Sequence, residues 1–144
     1  MNKKGFTLVE LLGVIVILAI VLGIAVPSAS NYIQRSRREA FVAVMREYVD
    51  AVQKGMAAEE FLPPVDSDDV LVVSMDLIPL DKGKKESSYQ AEWIKSKSYV
   101  TVINTGNADN VQYEYFVAAQ DKNNHAIPLM NINDVRSTEV ISNA

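Results

Sequence analysis

From residue 6 to residue 26 the chain runs for 21 residues with a single charge, Glu10. At ~1.5 Å per residue this run spans roughly 32 Å as a helix, close to the ~30 Å hydrocarbon core of a bilayer. In hydrocarbon every backbone polar group must be bonded within the segment, so a membrane helix is predicted. Val14, Ile15, Val16, Ile17, Ile20 and Val21 are β-branched and only fair helix formers in water; lipid overrides that preference.

Three plainer readings compete. A conventional cleavable signal peptide has a basic start, a 7–15-residue apolar stretch and a small-residue cleavage site. Ala25-Val26-Pro27-Ser28-Ala29 loosely imitates such a site, but the apolar run is too long and carries a charge inside it. A simple single-pass anchor and a buried soluble helix are the other two. None of the three explains Glu10.

An ionisable residue at membrane depth is costly unless paired, and marks a function by default. Glu10 has no basic residue within a helical turn. Cutting the chain after Gly5 would create an α-amino group on Phe6. That amine would lie near Glu10 in its own helix and could meet Glu10 of a neighbouring chain displaced along an assembly. Both charges would be neutralised in a dry setting, and the pairing would depend on register.

The stretch Lys3-Lys4-Gly5-Phe6-Thr7-Leu8-Val9-Glu10-Leu11-Leu12 resembles the N-terminal motif of type IV pilins, shared by the pseudopilins of type II secretion and competence systems. The resemblance is strong over residues 3–27 and weak beyond. It implies that a prepilin peptidase cleaves between Gly5 and Phe6 and that Phe6 is N-methylated. It also implies that Glu10 holds the family's assembly-glutamate position and Pro27 its helix-kinking position. Lys3 and Lys4 favour a cytoplasmic N-terminus, but Arg35, Arg37 and Arg38 near the other end weaken that rule. The resemblance implies leader inside and head outside.

Pro27 removes a backbone donor and clashes with the carbonyl of Gly23, so a kink is expected there rather than a helix end. Helical spacing resumes at once through Ile33, Phe41, Val44, Met45, Tyr48, Val49, Val52 and Met56. The opposite side carries Arg35, Arg38, Glu39, Arg46, Glu47, Asp50 and Lys54, and Gly55 reads as the helix stop. The expected organisation is a leader at 1–5, a transmembrane and assembly helix at 6–26, a continuing amphipathic helix at 27–56, and a globular head at 57–144.

In the head the period changes. Residues 61–69 read as a loop, 70–73 as a short strand, 74–78 as a helical turn ended by Pro79, and 81–88 as a lysine-rich loop. Alternation predicts strands at 99–103, 111–118 and 126–130, joined by hairpin loops at 104–110 and 120–125. Val111, Tyr113, Tyr115 and Val117 form the expected core face of the middle strand, meeting Val100, Val102 and the Phe41–Val52 stripe; Trp93 closes one edge. The fold class is therefore α+β, a long N-terminal helix whose first half spans a membrane and whose second half packs on a small antiparallel sheet. The resemblance implies the same pilin architecture.

Composition narrows the chemistry. Cys is absent, which removes disulfides, zinc-thiolate sites and thiol nucleophiles. The formal net charge is −4, and residues 55–144 are the acidic part. That balance argues against nucleic-acid binding driven by phosphate neutralisation, though not against a local patch. The one basic cluster is Lys82, Lys84, Lys85, Lys95 and Lys97, with Tyr89, Trp93 and Tyr99 interleaved; it is a candidate contact for DNA or an acidic polymer, and more simply a solvated loop. His125, the one histidine, reads as a surface residue in a hairpin loop. Asp66-Ser67-Asp68-Asp69 lacks the glycine and downstream glutamate of an EF-hand loop and reads as a solvated acidic loop. No catalytic motif, cofactor or metal site emerges, so no enzyme is expected.

The functions in contention are a pilus subunit for adhesion, motility or aggregation, a pseudopilin or minor pilin of a secretion or DNA-uptake machine, and a membrane-anchored binding module that never assembles. The resemblance implies other pilin subunits, prepilin peptidase, the pilus assembly machinery and, before assembly, the cytoplasmic membrane as partners. The destination it implies is an extracellular filament at the cell surface.

Overall fold

The computed structural model describes residues 5–78 and 85–142. One helix, α1 (Leu8–Ala57), precedes a five-stranded antiparallel sheet: β1 (Val70–Ser74), β2 (Tyr99–Asn104), β3 (Tyr113–Gln120), β4 (His125–Asn131) and β5 (Ile141–Ser142), in spatial order β1-β2-β3-β4-β5. Short 3₁₀ turns occupy Met75–Leu77, Lys95–Lys97 and Ser137–Glu139. The chain divides into two compact units, 1–36 and 37–144. It is the α+β pilin-type arrangement expected from the apolar helix and the alternating strands.

In the first unit every residue from Gly5 to Ser36 is exposed. Pro27 does not end the helix, which is assigned helical on both sides of it. The proline has no N–H for the carbonyl of Gly23, and next to it the Ser28 hydroxyl donates to the carbonyl of Ile24 at 3.2 Å.

In the second unit the helix contributes Phe41, Met45, Tyr48, Val49 and Val52, buried at the spacing of one helical face. They pack with Val100 and Val102 of β2, Val117 and Ala119 of β3 and Ile127 of β4. Each such apolar side chain contributes roughly 1.5–3 kcal/mol by leaving water. Trp93 sets its ring edge-on to Phe41, with centroids 5.0 Å apart, and closes one margin of the core as its sequence position suggested. The apolar stripe differs from expectation at two places. Ile33 is exposed, whereas Val42 is buried. The C-terminal segment supplies the extra cover: Val135 and Val140 are buried in the same core, and Arg46 donates to the carbonyl of Val135 at 3.4 Å.

Gly55 lies inside the helix, not at its stop. A Cβ there would land 2.5 Å from the Phe61 ring carbons, so glycine makes room for that ring. The stop is a Schellman closure. Glu60 N–H donates to the Gly55 carbonyl at 2.8 Å, Glu59 N–H donates to Met56 at 3.2 Å, and Glu59 takes φ 60° where glycine is usual.

The middle strand begins two residues later than the alternation predicted, and Val111 is exposed instead of facing the core. Buried Asn104 explains the shift. Its side-chain oxygen accepts from Gly106 N–H (2.9 Å) and Gln112 N–H (3.2 Å), while its amide donates to the Val65 carbonyl (2.7 Å). A side chain thus satisfies the backbone group that a longer ladder would have used. On the other side of β3 the register with β4 slips by one residue between Val117 and Ala119. Two β4 residues, Pro128 and Leu129, face one β3 residue there, a bulge that accommodates a proline lacking its N–H. The two-residue strand β5 was not foreseen; so short a run carries no period.

Candidate functional site

The helix begins at Leu8 because Thr7 caps it. Thr7 C=O accepts from Leu11 N–H at 3.1 Å, and its hydroxyl accepts from Glu10 N–H at 3.2 Å. Glu10 reaches back: its Oε2 accepts from Thr7 N–H at 2.9 Å and from the Thr7 hydroxyl at 3.1 Å. This is a reciprocal capping box, with threonine at the N-cap and glutamate three residues on. Its sequence signal is the spacing Thr7-x-x-Glu10 before an apolar run. It gives Glu10 a local role in starting the helix. Hydrogen bonds from threonine do not neutralise its charge, and among the described residues no cation pairs with it.

The remaining elements of that segment are open. Gly5 has nothing within 4 Å of where a Cβ would stand, and Phe6 is 87% exposed, both in extended chain ahead of the cap. A protease could therefore reach the Gly5–Phe6 bond without opening a helix. Leu8–Ala57 contains a stretch long and apolar enough to cross a membrane, none of it buried within the chain. Glu10 thus stands one turn into an uncovered apolar surface, with Phe6 N four residues away along the chain.

The basic cluster of the head loses its definition. Lys82 and Lys84 lie outside the described residues. Lys95 pairs with Asp76 at 3.3 Å, while Lys85 and Lys97 are exposed. The aromatics meant to interleave with them are committed elsewhere: Trp93 is in the core, and Tyr89 stacks on His125 with ring centroids 3.5 Å apart and planes 5° from parallel. Asp76 is held below the usual carboxylate range, first by the Ser74 hydroxyl and then by Lys95. A cavity of about 310 Å³ between Tyr48, Met75, Trp93, Asp76, Glu92 and Lys95 mixes apolar walls with paired charges.

His125 is not a free surface residue. It opens β4, is largely covered, and its Nδ1 lies 3.2 Å from Oδ2 of Asp121. Asp121, fully buried, is the polar centre of the head. Its carboxylate accepts from the Ser87 hydroxyl (2.5 Å), Asn123 N–H (2.9 Å) and His125 N–H (2.9 Å). It ties the β3–β4 turn to the 86–93 loop, where Trp93 bridges to Asp121 through the backbone. The acidic loop is likewise structural in its geometry, with Asp69 Oδ2 accepting from Asp66 N–H at 3.3 Å.

Residues 1–26 match the family model described as the prokaryotic N-terminal methylation motif. That motif is the class III signal peptide of type IV pilins and pseudopilins. No significant match to the chain emerged among curated proteins or among solved structures. A signal of this class marks a structural rather than an enzymatic group of proteins. Together with the apolar helix the motif suggests membrane anchoring before assembly, and motifs of this kind go in general with prepilin-peptidase processing and assembly with pilin subunits.

Proposed function

We propose that this chain is a structural subunit of a type IV pilus, cleaved between Gly5 and Phe6, N-methylated on Phe6 and polymerised through its N-terminal helix. The observation that carries this reading is the pairing of an uncovered apolar helix with one carboxylate at its edge, Glu10, that no cation among the described residues neutralises. Polymerisation answers both. Helices bundled together remove apolar side chains from lipid or water, and the Phe6 amine of one subunit neutralises Glu10 of another. Pro27 softens the helix where the apolar run ends. Heads displayed on such a filament serve adhesion, motility or aggregation. Release begins from the cytoplasmic membrane and ends in a filament at the cell surface.

The capping box sets the decisive experiment. Glu10→Gln keeps a competent capping side chain but removes the charge, whereas Thr7→Ala breaks the cap and keeps the charge. Filaments sheared from cells should lack Glu10→Gln chains and still contain Thr7→Ala chains, and mass spectrometry of the wild type should begin at methylated Phe6. Normal filaments from Glu10→Gln would reduce Glu10 to a helix cap and overturn the charge-pairing mechanism. Chains that retain residues 1–5 and never enter filaments would select the anchored module. Correct processing with only trace incorporation would select a pseudopilin or minor pilin.

A further inference from the structure

Glu39, Val42, Ala43 and Arg46 share one face of α1, at the three- and four-residue spacing of neighbouring turns. Val42 and Ala43 are short, so that face dips between two long charged side chains. Val135, buried in the core, brings the C-terminal segment alongside, and Arg136 and Ser137 follow it directly. These two and the four helix residues line an open groove of about 470 Å³.

The donors of that groove are left open. Arg46 gives one Nη2–H to the Val135 carbonyl at 3.4 Å, which orients the guanidinium and leaves its other N–H groups unused. Among the described residues Arg136 has no side-chain partner, and the Ser137 hydroxyl makes no hydrogen bond. Glu39 lines the same groove, yet neither arginine takes it as an ion-pair partner. Elsewhere in the head Lys54, Lys95 and Lys122 each hold a carboxylate, from Asp50, Asp76 and Glu92. The chain has more acidic than basic groups, so two open guanidiniums on one groove are not for want of carboxylates.

We propose that this groove binds a small organic anion, a sugar-sized body that carries one carboxylate or phosphate. A guanidinium fork matches two oxygens of either group, and the Ser137 hydroxyl adds a further donor. Val42 and Ala43 supply an apolar floor for the body of the ligand. The groove's size, about 470 Å³, exceeds what a bare ion fills. It lies within the range of roughly 300–1,000 Å³ usual for small-molecule sites. A nucleic acid is a poor fit to the same surface. Screening confines the pull of two arginines to ~8 Å, and a polyanion would run on over an acidic head. The site belongs to the head alone and stands whether or not the chain polymerises.

The test uses full-length protein dispersed in a neutral detergent, so that its outcome does not depend on filament assembly. Glucuronate, glucose 6-phosphate and glucose are titrated in at low salt while the arginine Nε–H signals are followed by NMR. At least one of the two anions should shift the Arg46 and Arg136 signals and saturate, with a dissociation constant on the order of 1 mM for a small ligand in an open groove. The tighter of the two identifies the carboxylate or the phosphate as the group recognised. Glucose, of the same size but uncharged, should shift neither signal. Arg136→Gln should weaken binding by about tenfold, since the fork it removes is charged and bidentate. Its side chain supports nothing else in the head, and unchanged Trp93 emission would verify the fold. Arg38→Gln, an exposed arginine outside the groove, should leave binding as it was. Signals that fail to saturate with either anion, an equal response to glucose, or Arg136→Gln binding as tightly as Arg38→Gln would overturn the proposal.

Discussion

The segment 5–36 and the unit 37–142 each hold one carboxylate of special position, and the two are satisfied in opposite ways. Glu10 takes its hydrogen bonds from Thr7, three residues away, and stays exposed. Asp121 takes its from Ser87, Asn123 and His125, which lie on two different stretches of chain, and is fully buried. The first arrangement forms as soon as one helical turn forms. The second exists only once a loop and a hairpin have met. The head is therefore self-sufficient, with its apolar face and polar centre covered by its own residues. Among the described residues, the N-terminal segment leaves its apolar side chains uncovered and the charge of Glu10 without a cation.

Unfolding measurements can break or sharpen that contrast, and the single Trp93, set between Phe41 and Tyr48, reports on the head alone. The largest effect should come from Phe41→Ala, which empties a fully buried site and should cost about 3–5 kcal/mol in denaturant unfolding followed by tryptophan emission. Ile17→Ala, the same kind of truncation in the exposed segment, should leave that transition unmoved within about 0.5 kcal/mol. An equal loss from both would erase the distinction between the regions.

Next comes Asp121→Ala. Removing the carboxylate strands two backbone N–H groups and a buried hydroxyl, for a loss of roughly 2–3 kcal/mol. Weakened Tyr89–His125 stacking should show in the histidine ring signals by NMR. A neutral outcome would mean that water replaces the carboxylate and that the head has no polar centre.

A gain is expected from Glu59→Gly. Glu59 holds a left-handed backbone at φ 60°, strained for a residue with a Cβ. Glycine there should raise the head's stability by about 0.5–1 kcal/mol, after its greater freedom in the unfolded chain is offset. A loss instead would show that the Glu59 side chain has a stabilising role that outweighs the backbone strain.

The smallest effects are those of pH. Burial raises the pKa of Tyr48 and of Tyr115 above the ordinary 10.0. Below pH 10 both are neutral folded or unfolded; above it the unfolded chain ionises first, so stability should fall as pH climbs through the folded values. In acid the sign reverses. Asp76 is lowered by Ser74 and Lys95, and Glu92 by Lys122, so their small contribution is present above their ordinary values of 3.8 and 4.5 and is lost as pH falls. Both carboxylates are solvent-exposed, which keeps that acid limb shallow. Fluorescence melts at stepped pH would measure the two limbs, and a head equally stable at pH 9 and pH 11 would contradict the tyrosine effect.

Much of the molecule is legible in its sequence. The apolar run, its lone Glu10 and the decapeptide around it are local facts, carried by consecutive residues. The Phe41–Val52 stripe and the strands β2 and β4 follow from period, which also needs only neighbours. The Thr7–Glu10 box is equally local, carried by a threonine and a glutamate three residues apart. Three features were beyond such reasoning. Gly55 looked like a helix stop because glycine often is one; only the position of the Phe61 ring shows why it is glycine. Val111 alternates correctly with Tyr113, yet the Asn104 side chain takes over the bond that would have kept it in the strand. His125 sits among asparagines in sequence, and a partner thirty-six residues back, Tyr89, covers its ring.

By itself, then, the order of residues determined which stretch is long and apolar enough to cross a membrane, where the helix starts and which helical face is apolar, since each depends on residues within a turn or two. Tertiary structure alone decided the helix stop, the start of β3, the burial of Asp121 and His125 and the place of β1 at the end of the sheet. Those outcomes depend on which distant groups arrive to satisfy a backbone donor or cover a ring, and no local pattern encodes the arrival.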